Sequence, residues 1–287
     1  MSAWTVGRMI DWGREYLGDR SFENPRLEIE LLLADTLSVT RLELYLDFER
    51  PLSKDALDAF KRRLKRRLRL EPVQYITGRA AFMLSEFEVT PDVLIPRPET
   101  EALTEVALEV LAGAPEGAVV ADIGTGSGVI AVTLAQKVAG ARVVATDSSP
   151  TALAVARRNA ERLGVGERIE FLEGSLLDPL KDAGLGGSVS LLVSNPPYVR
   201  TGELDALPEE VRSFEPLLAL DGGEDGLDCL RVLAQDGPAL LTDGGFALFE
   251  VGLGQAETVA ALMEGRVAET GVRKDYAGRE RIVLGRT

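Results

Sequence analysis

The chain has 287 residues, 45% of them hydrophobic and 27% charged, and carries a net charge of −14 with one cysteine and no histidine. That is length for more than one domain of usual size, with the balance of a globular protein in water. The missing histidines remove the usual general base, the usual zinc ligand and every Ser-His or Cys-His pair, and Cys229 alone can form neither an intramolecular disulfide nor a thiolate cluster; catalysis must rest on carboxylates, amides, hydroxyls, backbone groups or a cofactor.

The first 78 residues read as a small helical bundle. Trp4, Met9, Ile10, Trp12, Tyr16 and Leu17 fit one amphipathic helix. Asn24-Pro25 opens a second, holding Leu27, Ile29, Leu31, Leu32 and Leu33, and Glu43 to Phe48 adds a short segment. Ser53 suits the cap of a helix running to about Leu70, with Leu57, Phe60, Leu64 and Leu68 on one face. Lys61, Arg62, Arg63, Lys65, Arg66, Arg67 and Arg69 crowd its other face. A solvated helix surface accounts for such a cluster. A dock for an acidic protein or ribosomal RNA is the functional alternative, and it predicts that Arg63, Arg66 and Arg67 changed to Glu weaken substrate binding without unfolding the domain.

Glu71 to Gly78 closes the bundle, and Phe82 to Val89 alternates like a hairpin. Pro96 and Pro98 around Arg97 fix an extended segment, after which Thr100 to Leu111 reads as a helix. The expected organisation is a helical docking domain at 1–78, a hairpin linker at 79–95 and a second domain at 96–287. In the latter, strands at Val119 to Ile123, Arg142 to Thr146, Arg168 to Leu172, Val189 to Val193, Gly245 to Val251 and Arg281 to Leu284 alternate with helices, which predicts an α/β fold with a mostly parallel, doubly wound sheet. Residues 1–90 hold 15 basic and 15 acidic side chains, so all the acidic excess lies beyond them and a phosphate backbone is a poor substrate for that region; no DNA partner is expected. No apolar run is long enough to span a bilayer, and Arg8, Asp11, Arg14 and Glu15 stand where a secretion signal would be apolar, which favours a cytoplasmic location and no membrane partner.

Two motifs carry chemistry. Asp122-Ile123-Gly124-Thr125-Gly126-Ser127-Gly128 turns from strand to helix, where glycines let a ligand lie against bare backbone. The spacing lacks the third glycine of the dinucleotide fingerprint. Asp147, 23 residues after Gly124, ends the next strand and can accept from ribose hydroxyls, so the set suits S-adenosylmethionine better than NAD. The second motif, Asn195-Pro196-Pro197-Tyr198, follows the strand Val189 to Val193. The Asn195 amide oxygen and the Pro196 carbonyl are two acceptors beside the Tyr198 ring, a group suited to a planar substrate bearing an NH2. By accepting its two N–H bonds they can turn the nitrogen lone pair toward a methyl donor, with no metal and no covalent intermediate. Cys229 has no proline before it and reads as a small buried residue, not a nucleophile.

On Pro72 to Gly78, Leu94 to Glu101, Asp122 to Gly128, Asn195 to Tyr198 and Phe214-Glu215-Pro216 through Gly226, the chain resembles the release factor glutamine methyltransferases over nearly its whole length. Asn-Pro-Pro-Tyr alone is shared with adenine-N6 methyltransferases; the Arg97-Pro98-Glu99-Thr100-Glu101 segment is far more specific. The resemblance implies a Rossmann-like class I methyltransferase sheet behind the helical bundle. It also implies methylation of the side-chain nitrogen (N5) of the Gly-Gly-Gln glutamine in class 1 peptide chain release factors, near or away from the ribosome, which modulates translation termination. Asp122, Gly124, Thr125, Gly126, Ser127, Gly128, Asp147, Leu176 and Asn195 would then bind S-adenosylmethionine, leaving S-adenosylhomocysteine. Asn195, Pro196 and Tyr198 would be catalytic, with Pro197, Arg97 and Glu99 added on the substrate side. Where the family often has an acid and an aromatic near adenine, this chain has Ser175 and Leu176, so only Leu176 keeps an expected packing role. Arg97, Glu99, Glu215 and Asp225 fit either the mouth of the site or ion-paired scaffolding. The competing readings are a ribosomal-protein glutamine methyltransferase and a nucleic-acid amino methyltransferase.

Overall fold

The structure is a computed structural model describing residues 3–287. The chain folds as two compact units: one running to Arg79 and including Glu209–Phe214, the other comprising Ala80–Pro208 and Glu215–Thr287.

In the first unit, α1 (Val6–Gly18) is capped by Thr5, whose hydroxyl accepts the Arg8 N–H. Helix α2 (Pro25–Leu37) begins on proline, and α3 (Arg41–Leu46) carries a full capping box between Thr40 and Glu43. Helix α4 (Lys54–Arg67) starts at the Ser53 cap, and α5 (Val73–Thr77) ends at Gly78, where φ is +72°. Ile10, Leu17, Ile29, Leu32, Leu33, Leu44 and Phe60 fill the core between these helices.

The basic face of α4 is not a free dock. Arg63 pairs with Asp35 at 2.6 Å and Arg66 with Glu71. Arg67 is buried, gripping Glu28 at 2.7 Å and Glu210 at 3.0 Å while its guanidinium lies 4.5 Å from the Phe22 ring centroid. The triple charge reversal expected to leave the domain folded would put three carboxylates against these acids, so that expectation is corrected; Lys61, Arg62, Lys65, Arg66 and Arg69 are the exposed cations. Removing one partner of a buried ion pair leaves the other charge desolvated, and we expect Arg67→Ala to cost about 3 kcal/mol in denaturant unfolding of the helical unit. Lys61→Ala should cost almost nothing in the same measurement.

A hairpin of β1 (Arg79–Phe82) and β2 (Ser85–Glu88) precedes α6 (Pro98–Leu111). Then follow β3 (Val119–Ile123), α7 (Val129–Lys137), β4 (Arg142–Asp147), α8 (Pro150–Arg162), β5 (Ile169–Glu173), α9 (Asp178–Asp182) and β6 (Val189–Ser194). The chain ends with α10 (Glu209–Phe214), α11 (Asp228–Asp236), β7 (Leu241–Glu250), α12 (Ala256–Met263), β8 (Glu269–Lys274) and β9 (Glu280–Arg286). The sheet order is β5-β4-β3-β6-β7-β9-β8, parallel from β5 to β7, with β9 antiparallel to both its neighbours. The strand order reverses between β3 and β6, so the crevice outside their carboxyl ends is where ligands bind in such folds. Phe246 to Phe249, Leu191 to Val193 and Val143 to Ala145 are buried strand residues between helical layers, apart from the partly exposed Phe246.

Strand β8 and helices α9 and α10 were not expected from the sequence. Strand β8 is an edge strand exposing Glu269, Thr270, Arg273 and Lys274, and such charged edges carry no apolar alternation to read. Helices α9 and α10 lie in stretches to which the sequence assigned no element. Among the described residues no helix is long and apolar enough to cross a membrane.

Candidate active site

The carboxyl ends of β3, β4 and β6 open on a cavity of about 300 Å³. Gly124, Thr125, Gly126, Ser127, Asp147, Leu176, Asn195, Pro197 and Arg97 all line it, with Thr100, Ser175, Leu218 and Cys229. Asp122, Gly128, Pro196, Tyr198 and Glu99 do not line it.

On the β3 side, Gly124 and Gly126 have φ of +71° and +57°, and a Cβ built on either would meet nothing within 4 Å. Their bare backbone therefore faces open space. Gly128 is different: a Cβ there would stand 3.1 Å from the Ala156 Cβ, so this glycine serves the packing of α7 on α8. Asp147 fixes the loop by accepting the Gly126 N–H and the Ser149 N–H, each at 2.9 Å. Each of its oxygens keeps a lone pair for a ligand hydroxyl. Asp122 is fully buried; one oxygen accepts from Thr125 Oγ1 at 2.7 Å and Ala131 N at 3.1 Å, and the other has no partner among the described residues. An open glycine cradle, an acid at the end of β4 and an orphaned carboxylate oxygen fit a nucleoside cofactor with a polar tail. Leu176 and Ser175 add wall, whereas Cys229 is half-buried at the cavity and not in the core; burial and Asp228 raise its pKa, so it stays a thiol.

On the β6 side, Ser194 Oγ ties the strand end to Ile123 O at 2.7 Å. Pro196 cannot donate to a ladder, and the chain leaves the sheet there. Asn195 Nδ2 donates to Thr100 Oγ1 at 2.9 Å, and Thr100 Oγ1 donates to Glu250 Oε2 at 2.7 Å. Asn195 Oδ1 receives no hydrogen bond from any described residue and so remains an acceptor at the cavity wall. Tyr198, expected beside the substrate, does not line the cavity: its hydroxyl donates to Glu250 Oε1 at 3.2 Å and its ring packs on the apolar core. Burial and the charge of Glu250 hold its phenol protonated.

The segment after the turn is clamped from outside. Val199 N donates to Leu220 O, Gly222 N donates to Val199 O, and the Gln255 amide donates to Tyr198 O at 3.0 Å and to Gly226 O at 3.2 Å. A Cβ at Gly226 would come 2.6 Å from Tyr198 O, and one at Gly222 2.8 Å from Tyr198 Cα, which is why the Gly222 to Gly226 stretch is glycine-rich. Arg97 pairs not with Glu99 but with Glu215, whose side chain is buried and also accepts the Ile95 N–H. Asp225 pairs with Arg231 at 2.6 Å on the surface. Glu215 and Asp225 therefore brace the loop.

Burial pushes the carboxyls of Asp122 and Glu250 up to about 7. In the unfolded chain both stand near an ordinary value of about 4. The folded state thus holds protons that the unfolded state has released. That contribution to stability is complete below about pH 4 and is lost as pH rises through about 7. The melting temperature of the ligand-free protein should therefore fall from about pH 4 to about pH 7 and level off above it, and Asp122→Asn should flatten that slope in calorimetric scans.

A Rossmann-like sheet with this glycine cradle and this Asn-Pro-Pro turn on one cavity defines a methyltransferase, and the methyltransferase small domain model matches residues 99–212. A methyltransferase from Pyrococcus furiosus has the same fold, at 18% identity and a TM-score of 0.51 over 79% of this chain and 98% of that one. The PrmC N-terminal domain model matches residues 8–78. The release factor glutamine methyltransferase of Geobacter sulfurreducens is 46% identical over 99% of this chain and 97% of its own, and that of Moorella thermoacetica 46% identical over 91% of each. The chain belongs to the release factor glutamine methyltransferase family.

The sequence reading passed over Thr100, Glu250 and Gln255 as site residues. Glu250 had a usable signal: like Asp147, it is an acid that ends its strand.

Proposed function

We propose that this enzyme transfers a methyl group from S-adenosylmethionine to the side-chain nitrogen (N5) of the Gly-Gly-Gln glutamine of class 1 release factors, in the cytoplasm. When bound, S-adenosylmethionine supplies an electrophilic methyl carbon on a sulfonium that leaves as a neutral thioether. Gly124, Gly126, Asp147 and Leu176 would hold it along the β3 and β4 ends. The orientation of Asn195 carries the reading: with Nδ2 committed to Thr100, Oδ1 is left to accept one N–H of a carboxamide, and the Pro196 carbonyl, whose residue does not line the cavity but which accepts no backbone hydrogen bond, would take the other once the substrate is seated. A carboxamide nitrogen is a weak nucleophile because its lone pair is delocalised. Two fixed acceptors orient that lone pair and favour the pyramidal nitrogen that bonding requires. No side chain has to act as a nucleophile, and the one proton that the methylated nitrogen loses is released to solvent as the thioether leaves. The region 1–78 would dock the protein substrate, 79–95 would link, and 96–287 would carry the chemistry.

The test is incubation with methyl-labelled cofactor and, separately, a release factor, ribosomal subunits and DNA. Label on the release factor alone supports the proposal. Label on a ribosomal protein or on DNA, with the release factor unlabelled, defeats it.

A further inference from the structure

Glu250 is fully buried at the end of the apolar run Phe246 to Phe249, a costly place for a carboxyl group. Among the described residues it has no ion pair within 4.0 Å. Its hydrogen-bond partners are two hydroxyls, those of Thr100 and Tyr198. A carboxylate only accepts, so the Thr100 hydrogen must point to Glu250, and the Thr100 oxygen is then free to accept from Asn195 Nδ2. An acceptor-only group at one end thus sets the direction of the whole chain.

We propose that Thr100 and Glu250 are positioning residues that hold the Asn195 amide with its oxygen, not its NH2, toward the substrate nitrogen. The proposal rests on the methyl-transfer reading above. If Glu250 is replaced by glutamine, the chain's end can donate, Thr100 can turn its hydrogen toward Asn195, and the amide can flip. Asn195 would then present N–H groups to a substrate NH2, donor against donor. Protonation of Glu250 has the same effect, and the ionisable groups around it are Glu99 of α6, Tyr198 and Arg281 of β9.

The experiment compares wild type, Thr100→Val, Thr100→Ser and Glu250→Gln. We expect kcat to fall by about 10- to 100-fold in Thr100→Val and Glu250→Gln, with the KM for the release factor and the affinity for S-adenosylhomocysteine little changed, and Thr100→Ser to stay near wild type. Wild-type kcat should decline as pH falls through about 7, and Glu250→Gln should lack that decline. Unchanged kcat in both damaging variants, or Thr100→Ser as poor as Thr100→Val, overturns the proposal. Hydrogen exchange of the Asn195 side-chain amide by NMR needs no substrate: slow exchange in wild type that becomes fast in Thr100→Val supports the positioning role, and equal exchange overturns it. A wild type that leaves every release factor unmethylated refutes the functional reading, and the exchange result still decides the role of Thr100.

Discussion

Asn195→Ala should lower kcat by about 10²-fold or more, the loss seen when a preorganised polar group is removed from a reacting centre, while the affinity for S-adenosylhomocysteine stays nearly intact. The side chain reaches the cavity from the end of β6, held by a single hydrogen bond to Thr100. Gly124, Gly126 and Asp147, at the ends of the neighbouring strands, also line the cavity and are untouched by the change, so truncating Asn195 removes an acceptor for the substrate and little of the cofactor's surroundings. Calorimetric titration beside single-turnover methylation separates the two effects. Equal losses in both would mean that Asn195 chiefly holds the cofactor.

Asp147→Ala should do the reverse. Its carboxylate accepts the Gly126 and Ser149 N–H groups and lines the cavity, so the variant loses the loop's anchor together with two acceptors for ribose hydroxyls. Hydrogen bonds to a charged group contribute about 1.5 to 3 kcal/mol each, and the net loss should weaken S-adenosylhomocysteine binding by about 10²-fold. At saturating cofactor, kcat should recover much of its wild-type value, because the β6 side is untouched. Unchanged affinity in Asp147→Ala would remove Asp147 from the cofactor site.

Local features of this molecule were legible in its sequence, and long-range ones were not. The glycine loop, its aspartate and the Asn-Pro-Pro turn each sit within a few residues and announce a strand end by their chemistry. The network that orients Asn195 joins residues 95 and 150 positions apart, and no spacing rule brings Thr100 to Asn195 or to Glu250. Glu250 could have been flagged as an acid closing an apolar strand, but its partners could not. Gly222 and Gly226 stood out as motif residues, yet their reason, the close approach of the Tyr198 backbone, is tertiary. On α4 the run of cations gave no sign of which were paired; Arg67 is buried between Glu28 and Glu210, whereas Lys65 two residues earlier is exposed. Tyr198 shows the same limit, since an aromatic after Pro-Pro can face the substrate or, as here, brace the strand next door.

The central claim is that two fixed acceptors make a carboxamide nitrogen the methyl acceptor. Acid hydrolysis of release factor methylated with labelled cofactor tests it directly, because a methyl on a side-chain amide nitrogen is released as methylamine when the amide is cleaved. Labelled methylamine from the glutamine-containing peptide is the predicted result. Label that stays on another residue after hydrolysis, or no label in that peptide, would contradict the account.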